Sequence, residues 1–315
     1  GFFLSWKIRM NGADSLDWNG VLHNRPSRMP DRFFKYWILV PAVFLLLLIG
    51  LFPLIYSLLV SFQQITMTDY DTSFVGFVNY AALFEDLRLW QSILHTLIIT
   101  AIALPVELLL GLAMAQLFLE KIPGRQIFIS LIVLPTVISP IVAGATWRLL
   151  FDQSYGPVNQ IIGWFTGTNV VLLWTITPKL VYPAIIICEI WQWTPFMFLI
   201  LLAALSNVDK SLTEAAELDG AGFWRTFFKI VLPAIWPVMA IAILIRGVDL
   251  VRTFDVIWAL TSGGPGTMTE TISIYTYVQG FRQFESSYTA AIAFLIVALM
   301  TMIVTWAIRR MGLAQ

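Results

Sequence analysis

Two clusters of side chains in this sequence are equipped for chemistry, and both sit inside apolar runs. The first is Glu189-Ile190-Trp191-Gln192-Trp193-Thr194-Pro195-Phe196. It places a carboxylate, an amide and two indoles within a turn or so of a helix. That mix suits a sugar: aromatic faces lie against C–H patches, and the polar groups meet hydroxyls. The competing reading of the tryptophans is an interfacial aromatic belt. The second cluster is Arg246, Asp249, Arg252 and Asp255, alternating in sign at i, i+3 spacing, which permits intrahelical ion pairs. Each step of three turns the position by about −60°, so the four wind around a helix and do not all face one ligand. They read either as a self-neutralised seam against neighbouring helices or as the wall of a hydrophilic passage. An ionisable group at bilayer depth costs about 2.5–3.5 kcal/mol on insertion scales, so it turns to a bundle interior or a cavity. Glu107 is a further candidate of this kind, with helix packing as its other reading.

A third segment is polar and lies between long apolar runs: Ser211-Leu212-Thr213-Glu214-Ala215-Ala216-Glu217-Leu218-Asp219-Gly220-Ala221-Gly222. Ser211 and Glu214 fit a capping box, which predicts a short helix starting near Leu212. Ala215 and Ala216 keep one face slim, and Gly220 and Gly222 end the helix. A slim exposed helix suits insertion into a groove on another protein. On composition alone, a plain surface connector competes with that reading. The turn Thr261-Ser262-Gly263-Gly264-Pro265-Gly266 lacks the Gly-Lys-Ser/Thr ending of a phosphate-binding loop and reads as structural. No nucleotide-binding sequence occurs elsewhere, so ATP hydrolysis, if coupled, belongs to another chain. Lone Cys188 and two distant histidines, His23 and His95, offer neither a disulfide framework nor an obvious metal cluster.

The elements that position these groups are membrane helices. The chain has 315 residues, 58% hydrophobic and 12% charged, with mean hydropathy +0.80. Soluble domains carry about 25% charged residues. Only helices or closed barrels satisfy backbone polar groups in hydrocarbon, and these runs are too long and uniformly apolar for barrel strands. Six helices are predicted, at about 36–62, 89–119, 126–151, 180–206, 233–260 and 288–309. Prolines 41, 53, 105, 135, 140, 195 and 237 punctuate them, as ordinary kinks or as bends around a central pathway.

Lys7, Arg9, Arg25, Arg28, Arg32, Lys35, Lys121, Arg125, Lys210, Arg225, Lys229, Arg309 and Arg310 fall on one predicted side; Arg88, Lys179 and Arg282 fall on the other. The positive-inside rule then places both termini and the Glu214 segment in the cytoplasm. Residues 1–35 read as a cytoplasmic, partly amphipathic arm rather than a usual signal peptide, with Met10 and Met29 as alternative starts. Residues 36–310 form one membrane domain, with the polar segment at about 207–233 and a tail at 311–315. Net charge is zero and no basic stripe appears, so no nucleic-acid partner is expected.

Glu214-Ala215-Ala216, Asp219-Gly220-Ala221 and Ile230-x-Leu232-Pro233 resemble the cytoplasmic "EAA" loop of binding-protein-dependent ABC importer permeases. Phe254-Asp255 with Leu260 to Pro265, and Leu134-Pro135 to Trp147 with Tyr155-Gly156-Pro157-Val158-Asn159, extend the resemblance to the carbohydrate branch. It covers about residues 36–310. The resemblance implies an all-α integral membrane fold of the type I importer permease architecture, with six spans in a bacterial cytoplasmic (inner) membrane. It implies a subunit without catalysis or cofactor of its own, ATP and Mg being held by a partner ATPase dimer. It also implies a second permease, usually a different chain, an extracytoplasmic solute-binding protein, and a sugar or sugar derivative moved inward. Glu214, Ala215, Ala216, Asp219, Gly220, Ala221, Ile230, Leu232 and Pro233 would then couple to the ATPase. Thr136, Pro140, Glu189, Gln192, Trp193, Phe196, Arg246 and Asp249 would line the substrate pathway. In maltose-type members an Asn stands in the place of Glu189, a Gly in that of Trp193 and a Tyr in that of Phe196, which argues against a simple maltose site. The rival class is an ion-gradient-driven secondary transporter using Glu107, Glu189, Asp249 and Asp255.

Overall fold

The computed structural model describes residues 31–65, 73–120 and 122–312, with side chains from Tyr36 onward. Residues 1–30 of the expected 1–35 arm, Lys121 and residues 313–315 lie outside the described residues. The chain divides into two units, 1–57 and 58–315. In the first, α1 (Asp31–Leu46) loosens into a π turn over Leu47–Leu51 and resumes as α2 (Phe52–Ser61), whose last four residues are counted with the second. Tyr36–Ser61 is long and apolar enough to cross a membrane.

The second unit holds α3 (Val78–Glu85), α4 (Leu87–Leu117), α5 (Arg125–Val137), α6 (Pro140–Leu150), α7 (Pro157–Thr166), α8 (Pro178–Ser206) and α9 (Lys210–Leu218). These are followed by α10 (Phe223–Thr226), a π turn at Phe227–Val231, α11 (Leu232–Val251), α12 (Asp255–Thr261), α13 (Ile272–Tyr277), a π turn at Val278–Arg282 and α14 (Ser286–Arg310). The turns at 47–51 and 227–231 share a cause. Each is followed, two residues on, by a proline (Pro53, Pro233) whose missing N–H leaves a carbonyl of the preceding turn without its helical donor.

Two expected spans are corrected. The third is not a continuous helix: α5 and α6 meet at a 96° bend. Ile138 and Ser139 adopt ψ near 134° and 135°. The residue before a proline is pushed out of helical conformation, so Pro140 ends one helix and opens the next. The fifth span starts at Phe223, ten residues earlier than expected, and stops at Val251. Asp255 therefore does not share a helix with Arg246 but opens α12.

α8 is the central element. In its most apolar stretch 61% of residues are buried, against 22% for α4 and for Phe223–Val251 and 11% for α14. Helices in lipid associate by close packing rather than by expulsion of water, so small residues mark their contacts. A Cβ on Gly111 of α4 would lie 2.7 Å from the Met197 Cβ and 2.9 Å from the Phe198 amide nitrogen of α8. Around this contact Ala115, Met197, Phe198, Leu201, Ile235 and Met239 form a core joining α4, α8 and α11. A second core joins Ile99, Phe151, Trp174, Ile185, Ile257 and Ile274. The third, Leu83, Leu89, Ile272, Tyr275, Ala291 and Ile292, ties α3, α4, α13 and α14.

The cores give the bundle two distinct ends. At one, a cavity of about 620 Å³ gathers Gln116, Arg125, Ser206, Lys210, Glu217 and Phe227 from α4, α5, α8, α9 and the α10–α11 turn. At the other, Asp86 caps α4 and accepts from the Arg88 and Leu89 amides. It also accepts from the Tyr288 hydroxyl at 2.5 Å and from the Tyr275 hydroxyl. Burial pushes the Asp86 carboxyl up, but the tyrosine and amide hydrogen bonds outweigh it and hold the group below its usual range. Burial and the bond to Asp86 push Tyr275 up to about 12. Arg88 pairs with Glu270 at 2.8 Å beside them.

Candidate functional site

Between the two ends, three helices aim charge at one point. Glu107 of α4, Glu189 of α8 and Arg246 of α11 are all buried. Arg246 Nε and Nη2 donate to the two Glu107 carboxylate oxygens at 2.8 and 3.0 Å, a bidentate pair. Nη2 also donates to Glu189 Oε2 at 2.6 Å, and Nη1 donates to Asp249 Oδ2 at 2.7 Å. The Trp193 ring covers the guanidinium at 4.5 Å. Three carboxylates thus share one guanidinium, the residue type whose planar fork suits such sharing.

The i, i+3 spacing did pair Arg246 with Asp249, as one reading of the alternation required. The long-range partners Glu107 and Glu189 were not legible as a set, because no sequence spacing links α4, α8 and α11. Arg252 points outward, its side chain 70% exposed, and comes only to 4.0 Å of Asp249.

Two neighbouring cavities open on this cluster and share Trp193, Asp249 and Arg252. One, of about 520 Å³, is walled by Phe196, Leu244, Ile245, Arg246, Val248 and Val304. The other, of about 300 Å³, is walled by Pro140, Glu189, Thr253, Phe254, Asp255 and Val256. Glu189 Oε1 and Gln192 Oε1 are buried without a hydrogen-bond partner. Pro140, Glu189, Trp193, Phe196, Arg246 and Asp249 from the sequence reading are therefore brought together. Gln192 serves the backbone instead. Its Nε2 donates to the Ile138 carbonyl at 2.9 Å, at the α5–α6 bend. Thr136 donates to the Val133 carbonyl of its own helix and lines neither cavity. Arg252, Thr253, Phe254 and Asp255 join the walls; the sequence signal for the charged pair was there, but not for its neighbours.

At one end of α8 and α11 lies the short polar helix. Its N-cap is Asp209, whose carboxylate accepts from the Ser211 amide at 2.9 Å, so the expected Ser211–Glu214 capping box is corrected. Asp209 sits one residue before Lys210, where its oxygen reaches the first free amides. That hydrogen bond holds Asp209 below its usual carboxylate range. The C-terminus closes as expected on glycine. Gly220 has φ +72°, with Ala221 N donating to Ala216 O and Gly220 N to Glu217 O at 2.9 and 3.0 Å. Glu214, Ala215, Asp219, Gly220 and Pro233 are exposed, Ala216 is buried, and Ala221, Ile230 and Leu232 are half-buried. Leu218, Phe223, Trp224 and Phe228 add exposed apolar surface beside them.

Residues 79–312 match the family described as binding-protein-dependent transport system inner membrane component. The chain belongs to this family. A probable ABC transporter permease of Sinorhizobium fredii is 36% identical, the match covering 83% of this chain and 84% of that one. A sulfoquinovosyl glycerol transport system permease of Agrobacterium fabrum is 34% identical over 85% and 87%. A trehalose/maltose transport system permease of Thermococcus litoralis is 32% identical over 81% and 86%. In shape the chain is similar to one chain of a bacterial ABC transporter involved in the import of the acidic polysaccharide alginate. The TM-score is 0.77 at 23% identity, over 95% of this chain and 99% of that one. The fold is thus that of type I ABC importer permeases, with five helices long and apolar enough to cross a membrane among the described residues, or six if the bent α5–α6 pair counts as one. The chain is a membrane permease component.

Proposed function

We propose that this permease forms part of the passage for a sugar or sugar derivative moving inward across a bacterial cytoplasmic membrane. The observation that carries the reading is that α8 and α11 do two things at once. Away from α9 they hold Glu189, Trp193 and Phe196 of α8 and Arg246 and Asp249 of the last two turns of α11 around the cavities. At one end they are joined by the exposed, doubly capped α9. A push on α9 would reach the cavity walls through continuous helices.

In this reading both termini and α9 are cytoplasmic. A separate ATPase dimer, which holds ATP and Mg, grips Glu214, Ala215, Asp219 and Gly220, with Ile230, Leu232 and Pro233 passing its motion into α11. A second permease of different sequence completes the passage, and an extracytoplasmic binding protein delivers the solute. ATPase closure and binding-protein docking bias one two-state element, the inward- or outward-open bundle.

The test is uptake of labelled carbohydrates by proteoliposomes holding the complete set of subunits. Uptake is expected to need enclosed ATP and the binding protein and to ignore uncouplers. Uptake without the ATPase, collapsed by an uncoupler, would instead establish the ion-coupled rival in which the buried carboxylates carry protons or cations.

A further inference from the structure

We infer that the solute of this passage carries no acidic group and presents a hydroxyl or amine hydrogen to Glu189. The inference rests on the proposed sugar reading and goes beyond it. The named relatives leave the charge of a solute open, since trehalose and maltose are uncharged whereas alginate is acidic.

The arginine whose charge would suit an anion is already engaged. Four of the five Arg246 N–H groups point at carboxylates, and Trp193 lies over the guanidinium plane. What the smaller cavity does offer is an acceptor. Glu189 Oε2 is held by Arg246, while Oε1 is buried, unpartnered and on a residue that lines the cavity. A buried acceptor without a donor is costly, and a ligand hydroxyl or amine relieves it. Counted with its ion partners, the charged wall around that oxygen is Glu107, Glu189, Asp249 and Asp255 against Arg246 and Arg252. An acidic solute would meet four carboxylates for two guanidiniums, the buried one already taken up by three of them, and like charges brought together select against a wrong partner. Trp193 supplies the aromatic face for a sugar ring. Together the two cavities, of about 300 and 520 Å³, have the size of small-molecule sites.

The test is equilibrium binding to the assembled transporter in nanodiscs, with the binding protein left out so that its selectivity does not intervene. The probes are labelled neutral mono- and disaccharides, each paired with its C6-oxidised uronate, plus glucosamine. Neutral sugars or glucosamine are expected to bind at least tenfold more tightly than the matched uronates. Glu189→Gln is expected to weaken neutral binding at least tenfold. If that variant fails to assemble, Asp255→Asn carries the test: the exposed Asp255 has no ion-pair partner among the described residues, and its loss is expected to narrow the gap severalfold, as raised salt should. Uronates binding as tightly as their parents, or a gap unmoved by both Asp255→Asn and salt, would overturn the inference while leaving the sugar reading intact. Binding of no carbohydrate in the panel would sink the sugar reading itself.

Discussion

The Gln192 amide of α8 donates to the Ile138 carbonyl of the α5–α6 bend at 2.9 Å. This carbonyl belongs to the first of the two extended residues, Ile138 and Ser139, that precede Pro140 and interrupt the helical hydrogen-bond ladder. One side chain on the central helix thereby satisfies a backbone group exposed by the bend, and it does so one turn from Glu189. A broken span is tolerated in a membrane only with such replacement.

Gln192→Leu should therefore destabilise the folded protein by about 1–3 kcal/mol, the cost of stranding a buried polar group. Thermal unfolding in detergent measures it. Gln192→Met, of similar length but without a donor, should do no better than leucine; recovery of stability by methionine would refute the role.

Arg246→Met leaves Glu107, Glu189 and Asp249 without their shared cation. Breaking a buried pair from one side costs about 3–5 kcal/mol, so this variant should fail to accumulate. Arg246→Met combined with Glu107→Gln and Glu189→Gln should recover part of the yield. Membrane-fraction abundance by immunoblot separates these outcomes.

Gly111→Val should force α4 from α8, because even a Cβ at this position meets the Met197 Cβ at 2.7 Å and the Phe198 nitrogen at 2.9 Å. Overpacking of this kind costs about 1–3 kcal/mol. Neither contact is with the far end of a flexible side chain, so repacking offers little relief. A lowered unfolding temperature, larger than that of Gly111→Ala, is the expected readout.

Asp86 has a lowered carboxyl in the fold, so its contribution follows pH in one direction. The stabilisation is complete above the unfolded value near 3.8 and disappears as pH falls below it through the folded value. The difference in unfolding temperature between the parent and Asp86→Asn should stay constant from pH 7 to pH 5 in detergent and shrink below pH 3.8. A difference that shrinks already between pH 7 and pH 5 would mean that another group is responsible.

Gly220→Asp tests the α9 lever. Gly220 has φ +72°, and a Cβ added there would meet only open space; Asp is among the few side chains that visit this backbone region. The variant should insert and fold as the parent does, while ATP-driven uptake drops to about a tenth or less. Unchanged uptake would remove α9 from the coupling path.

The sequence by itself determined the solvent and the class of structure. A charge content of 12% and six long apolar runs leave helices as the practical way to satisfy the backbone in lipid. It also marked α9, because capping residues, small residues and glycine act within one turn of chain. The Gly220 stop was legible for this reason, and the N-cap was displaced only from Ser211 to Asp209, a choice settled by which oxygen reaches the first amides.

What the tertiary structure alone decided was convergence. Glu107, Glu189 and Arg246 are 82 and 57 positions apart in turn, and only the packing of α4, α8 and α11 turns three separate burial costs into one shared ion cluster. The 96° bend was likewise hidden: Pro135, Pro140 and Pro195 look alike in sequence, yet only Pro140 breaks its helix, where Gln192 stands ready on the neighbouring α8 to take up the freed carbonyl. Local propensity proposes such breaks, and the partners that make one of them tolerable come from distant parts of the chain.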